Sequence, residues 1–319
     1  MNSTTPNTID DLIDFYVQSP QFTISIRRDA TRRQYEYLLR RLSDITHDGK
    51  RVGEFQLNEL KVSTCQVLYY KMIEDAQGEG VRNANYIVQV AVRAWNVLIK
   101  HDFLTGNPWS LVERMQVAPR RTVWTREDFE RILEVAFSES KWRNIGLLVR
   151  INAELGQRAG DMRLVQWINF DFEQQLYVRK SIEKTREHIP GIPFSDNLKR
   201  MLLDQREYYG SQEWVVPNPH TMKPYEEANL RQVFRELARA AGVPDELQFR
   251  DIRRTVLTDL ANHGATDNEL MSFSGHKSRN SLTPYTRISV EQARNAAAKR
   301  NFQLDDKEEV WKRKHQPTT

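Results

Sequence analysis

The residues able to do chemistry gather in the second half of the 319-residue chain, in five short stretches. The first, Leu155-Gly156-Gln157-Arg158-Ala159-Gly160-Asp161, sets an arginine between two glycines that permit a tight turn. Asp161, three residues on, is close enough to orient a cation. The second stretch, Lys184-Thr185-Arg186, lies between two strand-like runs. The third, Arg250-Asp251-Ile252-Arg253-Arg254-Thr255, puts Arg250 and Arg253 on one face of a helix. The fourth is Ser274-Gly275-His276 and the fifth Thr283-Pro284-Tyr285-Thr286-Arg287. No GxxxxGK[ST] loop is present, so ATP use is not indicated. No CxxC, HExxH or carboxylate cluster points to a zinc or two-metal site. If phosphate chemistry occurs in this chain, side-chain cations must do what metal ions do elsewhere. Taken singly, each stretch has an ordinary reading: a solvated cation, a capping histidine, a half-buried tyrosine with its hydroxyl tied to a neighbour. Their order and spacing set them apart.

Such residues need a scaffold that fixes their separations. A length of 319 residues fits two domains. With 39% hydrophobic and 28% charged residues and a mean hydropathy of −0.67, the composition is that of a soluble, core-forming protein. No apolar run is long enough to span a bilayer, and no secretory leader is visible, so a cytoplasmic location is expected. The single Cys65 cannot form an internal disulfide and reads as a small core residue. The net charge of +4 permits a polyanionic partner. Residues 1–118 are charge-balanced, so the whole excess falls in 119–319, and Arg, the better bidentate phosphate ligand, far outnumbers Lys.

Residues 29–45 place Tyr35, Leu38, Leu39, Leu42 and Ile45 at helical spacing, with Asp29 as N-cap and Arg32, Arg33, Arg40 and Arg41 on the opposite face. Helical patterns also cover 64–77 and 83–101. No strand pattern interrupts them, and the first part reads as a small bundle. Gly106-Asn107-Pro108 and the run Val117-Ala118-Pro119-Arg120-Arg121 break the periodicity and mark a boundary near 118–123. Beyond it Thr125 caps a helix carrying Phe129, Ile132, Leu133 and Val135. Further helical patterns lie at 142–155, 197–209, 226–241, 250–262 and 290–300. Alternation over 167–194 predicts a small antiparallel sheet. The expected fold is mainly α with a small antiparallel β-sheet, an α+β chain with a helical domain at 1–118 and a mixed domain at 119–319.

In order and spacing the five stretches resemble the boxes of the tyrosine recombinases, the phage-integrase family. Gln157-Arg158-Ala159-Gly160-Asp161 is similar to the first Arg box, and Lys184-Thr185 followed by Ile192-Pro193-Phe194 to the hairpin Lys and its exit strand. Ile252-Arg253-Arg254-Thr255 is similar to the second Arg box, and Gly275-His276 to the second His position. Tyr285, nine residues after His276, falls where the family has its nucleophile. The helical first part, ending in Asn107-Pro108, resembles the family's core-binding (SAM-like) domain, so the likeness spans about residues 8 to 300. One position departs: the family's His-x-x-Arg has Arg250 in place of His, and an arginine cannot act as a base near neutral pH.

The resemblance implies cutting and rejoining of double-stranded DNA through a 3′-phosphotyrosine, without cofactor or metal. Tyr285 would attack phosphorus, Arg158, Arg253, Arg250 and His276 would hold the phosphate, Lys184 would protonate the leaving 5′ oxygen, and Asp161 would orient the arginines. Arg32, Arg33, Arg40, Arg120 and Arg121 are the further candidates for DNA contact. The implied partners are recombination sites, a tetramer of this chain on DNA, and an accessory directionality factor. The terminal helix within 290–300 would dock into a neighbouring protomer, ahead of a charged tail. A phage or mobile-element integrase is the first expectation. A host Xer-like dimer resolvase has the same chemistry, and a weak accessory DNA-binding protein on the same fold is the alternative that Arg250 favours. Little precedes Thr8, so a separate arm-binding domain is not expected in this chain.

Overall fold

Capping side chains decide where many of the helices begin. The computed structural model describes residues 5–75, 80–178, 191–210, 212–286 and 290–298. It divides into two units, Met1–Pro119 and Arg120–Thr319. In the first unit Thr8 and Asp11 form a capping box that starts α1 (Ile9–Gln18), and Ser19 caps the single turn α2 (Pro20–Thr23). α3 (Asp29–Ser43), α4 (Val62–Glu74) and α5 (Val81–Lys100) follow. Along α5, Ala84, Ile87, Ala91, Ala94 and Leu98 are buried at successive turns, against α1, α3 and α4. Trp95 of α5 and Trp109 meet edge-on at 6.1 Å, and Asn107 caps the 3-10 turn Pro108–Leu111 that carries Trp109. Cys65 lies in this core, where burial pushes its thiol up to about 12.

Two sequence expectations for this unit are corrected. A short antiparallel hairpin does interrupt the helices: β1 (Thr46–His47) pairs with β2 (Lys50–Arg51) around Asp48 and Gly49, both at positive φ. An Asp-Gly pair suits that turn, but two-residue strands leave no alternation to read. The residue at the N-cap of α3 is Arg28, not Asp29; Asp29 sits in the first turn and pairs with Arg32.

In the second unit Thr125 and Asp128 form the capping box of α6 (Arg126–Ser138). Burial of Asp128 opposes its ionised form, but hydrogen bonds from Thr125 and Arg131 prevail and its carboxyl titrates below the usual range. α7 (Arg143–Leu155) is the central helix, buried on nearly every face; α8 (Ala159–Met162) is a single turn. The sheet runs β3 (Phe170–Asp171), β4 (Leu176–Tyr177), β5 (Ile192–Pro193), all antiparallel, with Tyr177 opposite both Phe170 and Ile192. Its first strand starts later than the alternation over 167–194 suggests: Trp167–Asn169 is a 3-10 turn with Ile168 exposed. α9 (Asp196–Tyr209), α10 (Glu227–Ala240), α11 (Asp251–Asn262), α12 (Asp267–Ser274) and α13 (Val290–Ala298) complete the described elements. α11 packs on α7, and a satellite cluster of Leu257, Ala261, Leu270 and Leu282 joins α11, α12 and the segment after it. The observed architecture is the expected α+β one. No helix among the described residues is long and apolar enough to cross a membrane.

Candidate active site

α7 ends because Gly156 takes the left-handed conformation, φ 57° and ψ 31°. A side chain there would also press on Val256 and Phe273, at 3.0 and 3.1 Å from a Cβ, so the close approach of α11 and α12 needs glycine twice over. Gln157 is buried; its backbone N–H donates to Asn152 Oδ1 at 2.8 Å and its side chain to the carbonyls of Leu155 and Phe273. These bonds hold the turn that leads into Arg158. It becomes the extended N-cap of α8 and presents a side chain 59% exposed, with Asp161 at 4.0 Å.

Arg253, in the first turn of α11, is only 7% exposed. Its guanidinium donates to Gly156 O at 3.1 Å and to Ser274 O at 3.0 Å. A buried charge is tolerable when its donors are met in this way. The second arginine box thereby holds the carbonyl of the turn that aims the first. Nη2 of Arg253 also lies 3.2 Å from His276 Nε2. Gly275, left-handed at φ 70°, ends α12 and turns His276 toward Arg253.

The hydrogen-bond network fixes the His276 tautomer. Arginine has no acceptor, so Nε2 accepts from Arg253. The ring proton is then on Nδ1, 2.7 Å from Ser274 Oγ, and that hydroxyl donates to Leu270 O. In this arrangement Nε2 receives a hydrogen bond; the donation to phosphate that the resemblance implies would require Nε2 to carry a proton and Arg253 to stop donating to it.

Tyr285 follows a 3-10 turn, Arg279–Ser281, and the buried Leu282, whose carbonyl accepts from the Tyr285 N–H at 2.7 Å. Its half-buried ring lies 5.6 Å from the His276 ring, centroid to centroid, tilted by 35°. Among the described residues nothing is hydrogen-bonded to its hydroxyl. The Arg254 guanidinium lies 5.7 Å from the same ring.

Arg250 is the N-cap of α11 and is exposed. It borders a cavity of about 680 Å³ with Ala159, Gly160, Arg163, Arg231 and Arg235. Two of the acids near it in sequence, Asp251 and Asp245, are engaged elsewhere. Arg120 grips Asp251 with two nitrogens, at 2.9 and 2.7 Å, and Asp245 pairs with Arg235 and Arg239. Among the described residues Arg250 has no ion pair.

Lys184 lies outside the described residues, between β4 and β5. Of the other cations read from sequence, Arg32 is tied to Asp29 and to the carbonyls of Thr23 and Ile26, and Arg40 to Asp14. Arg120 is committed to Asp251. Arg33 and Arg121 are exposed and make no ion pair among the described residues. A groove in the first unit gathers donors of another kind: Arg82, Asn83, Tyr86, Gln89, Arg114 and Gln116. α13 rests on α11 of its own chain, Gln292 and Asn295 donating to the carbonyls of Ala261 and Asn262. No group of three His, Cys, Asp or Glu among the described residues could hold a metal ion.

Gln157, Ser274 as the partner of Nδ1, and Arg254 were not singled out by sequence for these contacts. The only signal was their place inside the boxes.

The phage integrase family model matches residues 122–292, more than half of the chain. The chain belongs to the phage integrase family. Solved structures similar to this integrase-family chain include the Tn1549 transposon integrase with a circular intermediate DNA, at 16% identity over 92% of this chain and 99% of that one, TM-score 0.73. A lambda integrase tetramer bound to a Holliday junction matches at 18% identity over 91% and 82% of the two chains, TM-score 0.69. A lambda integrase dimer on a COC′ core site matches at 16% identity over 94% and 81%, TM-score 0.70. At these identities the likeness concerns the fold. No curated protein matches this family member by sequence.

Proposed function

We propose that this chain is a site-specific tyrosine recombinase that cuts and rejoins DNA through a 3′-phosphotyrosine. One observation carries the reading: Arg253 reaches both the Arg158 turn and His276, and the His276 ring in turn lies against Tyr285, the one phenol of the five boxes. The Tyr285 Oη–P bond would form as the P–O5′ bond breaks, and one proton passes, in net, from the phenol to the departing 5′ hydroxyl. The break is stored as a phosphoester, so resealing needs no energy source. Arg158 and Arg253 would hold the non-bridging oxygens as charge builds on them. Lys184 would supply the proton to the 5′ oxygen, a role that rests on the resemblance alone.

The first unit would bind DNA, with Arg33 and the groove that contains Arg82, Asn83 and Gln89 offering the donors that meet phosphates and base edges. The transposon and phage origins of the similar structures favour a mobile-element integrase over a host resolvase. The lambda tetramer on a junction favours a tetrameric assembly, in which α13 would leave α11 for a neighbouring protomer. Acting on DNA, the protein would work in the cytoplasm. The test uses nicked duplexes tiled across the DNA that flanks its gene. A detergent-resistant protein–DNA adduct on one of them is the expected result; its absence from every duplex that the protein binds would leave only the accessory DNA-binding reading.

Arg250 gives a second measurable expectation. With Asp251 and Asp245 occupied by other arginines, it is proposed to face the scissile phosphate as a third guanidinium. Arg250→Ala should then slow cleavage by roughly 10²-fold. Arg250→His should recover much of that rate and introduce an inflection near the imidazole pKa of about 6.5, active below it and failing above. The parent, whose guanidinium stays charged, should lack that inflection. Single-turnover cleavage from about pH 5.5 to about pH 8.5 decides it, and parental speed in the alanine variant would assign Arg250 to the surface.

A further inference from the structure

Arg254 has no role in the reading above, which follows the boxes and stops at Arg253. Its surroundings are unusual for an arginine. It is half-buried, and its Nε is cut off from solvent with no hydrogen-bond partner. A buried donor left unmet is costly, and in a folded protein it calls for an explanation. The nearest helical neighbour able to neutralise the side chain is Asp251, three residues back. Both Asp251 oxygens are already taken: Oδ1 by Arg120 Nε, and Oδ2 by Arg120 Nη2 and by the Gln248 N–H at 3.0 Å. Arg250, four residues back, carries the same charge. What the guanidinium does meet is the ring of Tyr285, 5.7 Å from its centroid and within range of a cation–π contact.

We propose that Arg254 is the positioning residue of the nucleophile: its guanidinium, lying against the Tyr285 ring, holds the phenol in place and favours the negative charge that Oη carries as it attacks and as it leaves. The proposal rests on the transesterase reading and deepens it. Two contacts frame the ring, the imidazole of His276 and the guanidinium of Arg254. Both side chains are anchored in the α11–α12 region, whereas Tyr285 stands beyond a 3-10 turn, on a segment whose one fully buried anchor among the described residues is Leu282. A ring on such a segment needs side contacts to stay in line. The same contact acts in both directions, because religation expels the phenolate that cleavage consumed. Arg254 should therefore change the rates of cleavage and resealing together and leave the equilibrium share of covalent adduct unaltered.

The test compares Arg254→Met, which keeps length and packing without charge, with Arg254→Lys, which keeps charge. At saturating nicked duplex, Arg254→Met should cleave about 10- to 30-fold more slowly, the worth of one desolvated cation–π contact, with DNA affinity within about twofold of the parent. Arg254→Lys should stay within about threefold of the parent rate. A separate arm needs no activity: with fluorotyrosine at position 285, the fluorine NMR signal should move toward the unfolded position in Arg254→Met and hold in Arg254→Lys. Parental rate and an unmoved signal in Arg254→Met would overturn the proposal. Equal slowing in both variants would assign Arg254 to packing and overturn it as well. If the parent forms no adduct on any duplex, the transesterase reading fails, and the fluorine signal still judges the contact.

Discussion

Tyr285→Phe is expected to bind DNA as tightly as the parent chain and to form no covalent adduct at all. The ring, not the hydroxyl, makes the contacts that hold this residue: the His276 imidazole, the Arg254 guanidinium and the cluster around Leu282. Since the hydroxyl has no hydrogen bond among the described residues, its removal leaves no buried donor or acceptor unmet. The thermal midpoint should stay within about 2 °C of the parent, a shift that corresponds to less than about 1 kcal/mol in a chain of this size. What is lost is the oxygen proposed to attack phosphorus. An adduct that persists in the phenylalanine variant would mean that another residue is the nucleophile and would remove Tyr285 from the mechanism.

The second large effect is expected at Arg253. Arg253→Ala should lower single-turnover cleavage by 10² to 10³ or more, about 2.7–4 kcal/mol of barrier, the range for loss of one preorganised donor to a developing oxyanion. It should also lower stability, which Tyr285→Phe does not. The carbonyls of Gly156 and Ser274 each lose a charged donor, and His276 loses the partner of Nε2. An unmet buried acceptor costs about 1–3 kcal/mol. Arg253→Lys separates the two roles. One ammonium retains the charge, but it cannot span two carbonyls with the planar fork of a guanidinium. The lysine variant should recover stability only in part and remain slow. Denaturant midpoints and cleavage rates on the same preparations check both, and a fast, destabilised alanine variant would make Arg253 a structural pin with no part in catalysis.

The family and its boxes were more legible than the contacts that join them. The order of Arg158, Arg253, His276 and Tyr285 could be read because box residues lie close together in sequence. The start of α6 could be read because a capping box is complete within four residues. α1, α2 and α12 went unread: short helices carry too few turns for a periodicity to emerge. Arg120 shows the main limit. Sequence offers it as an exposed cation in a Pro-Arg-Arg linker, yet it grips an acid 131 residues away. A pairing of that range leaves no local trace. The same pairing bears on Arg254, because it removes the carboxylate that helical spacing would otherwise offer it. The tautomer of His276 was equally invisible, since it depends on a guanidinium and a hydroxyl brought to opposite sides of the ring by separate helices.

Arg253 reaches Gly156 across 97 residues of sequence, Ser274 across 21 and His276 across 23. Closing loops of that length costs entropy before any contact is returned. A chain emerging from the ribosome displays the arginine of its first box long before the guanidinium that fixes its turn has been made. The cluster around Arg253, proposed to hold phosphate, thus has no stable precursor: it comes into being in the folding event that completes the second unit. Under the proposed function, a nascent chain that holds DNA by its first unit cannot nick it. Strand breakage begins only when the part that can also reseal the strand is in place, because the same folded cluster serves both steps.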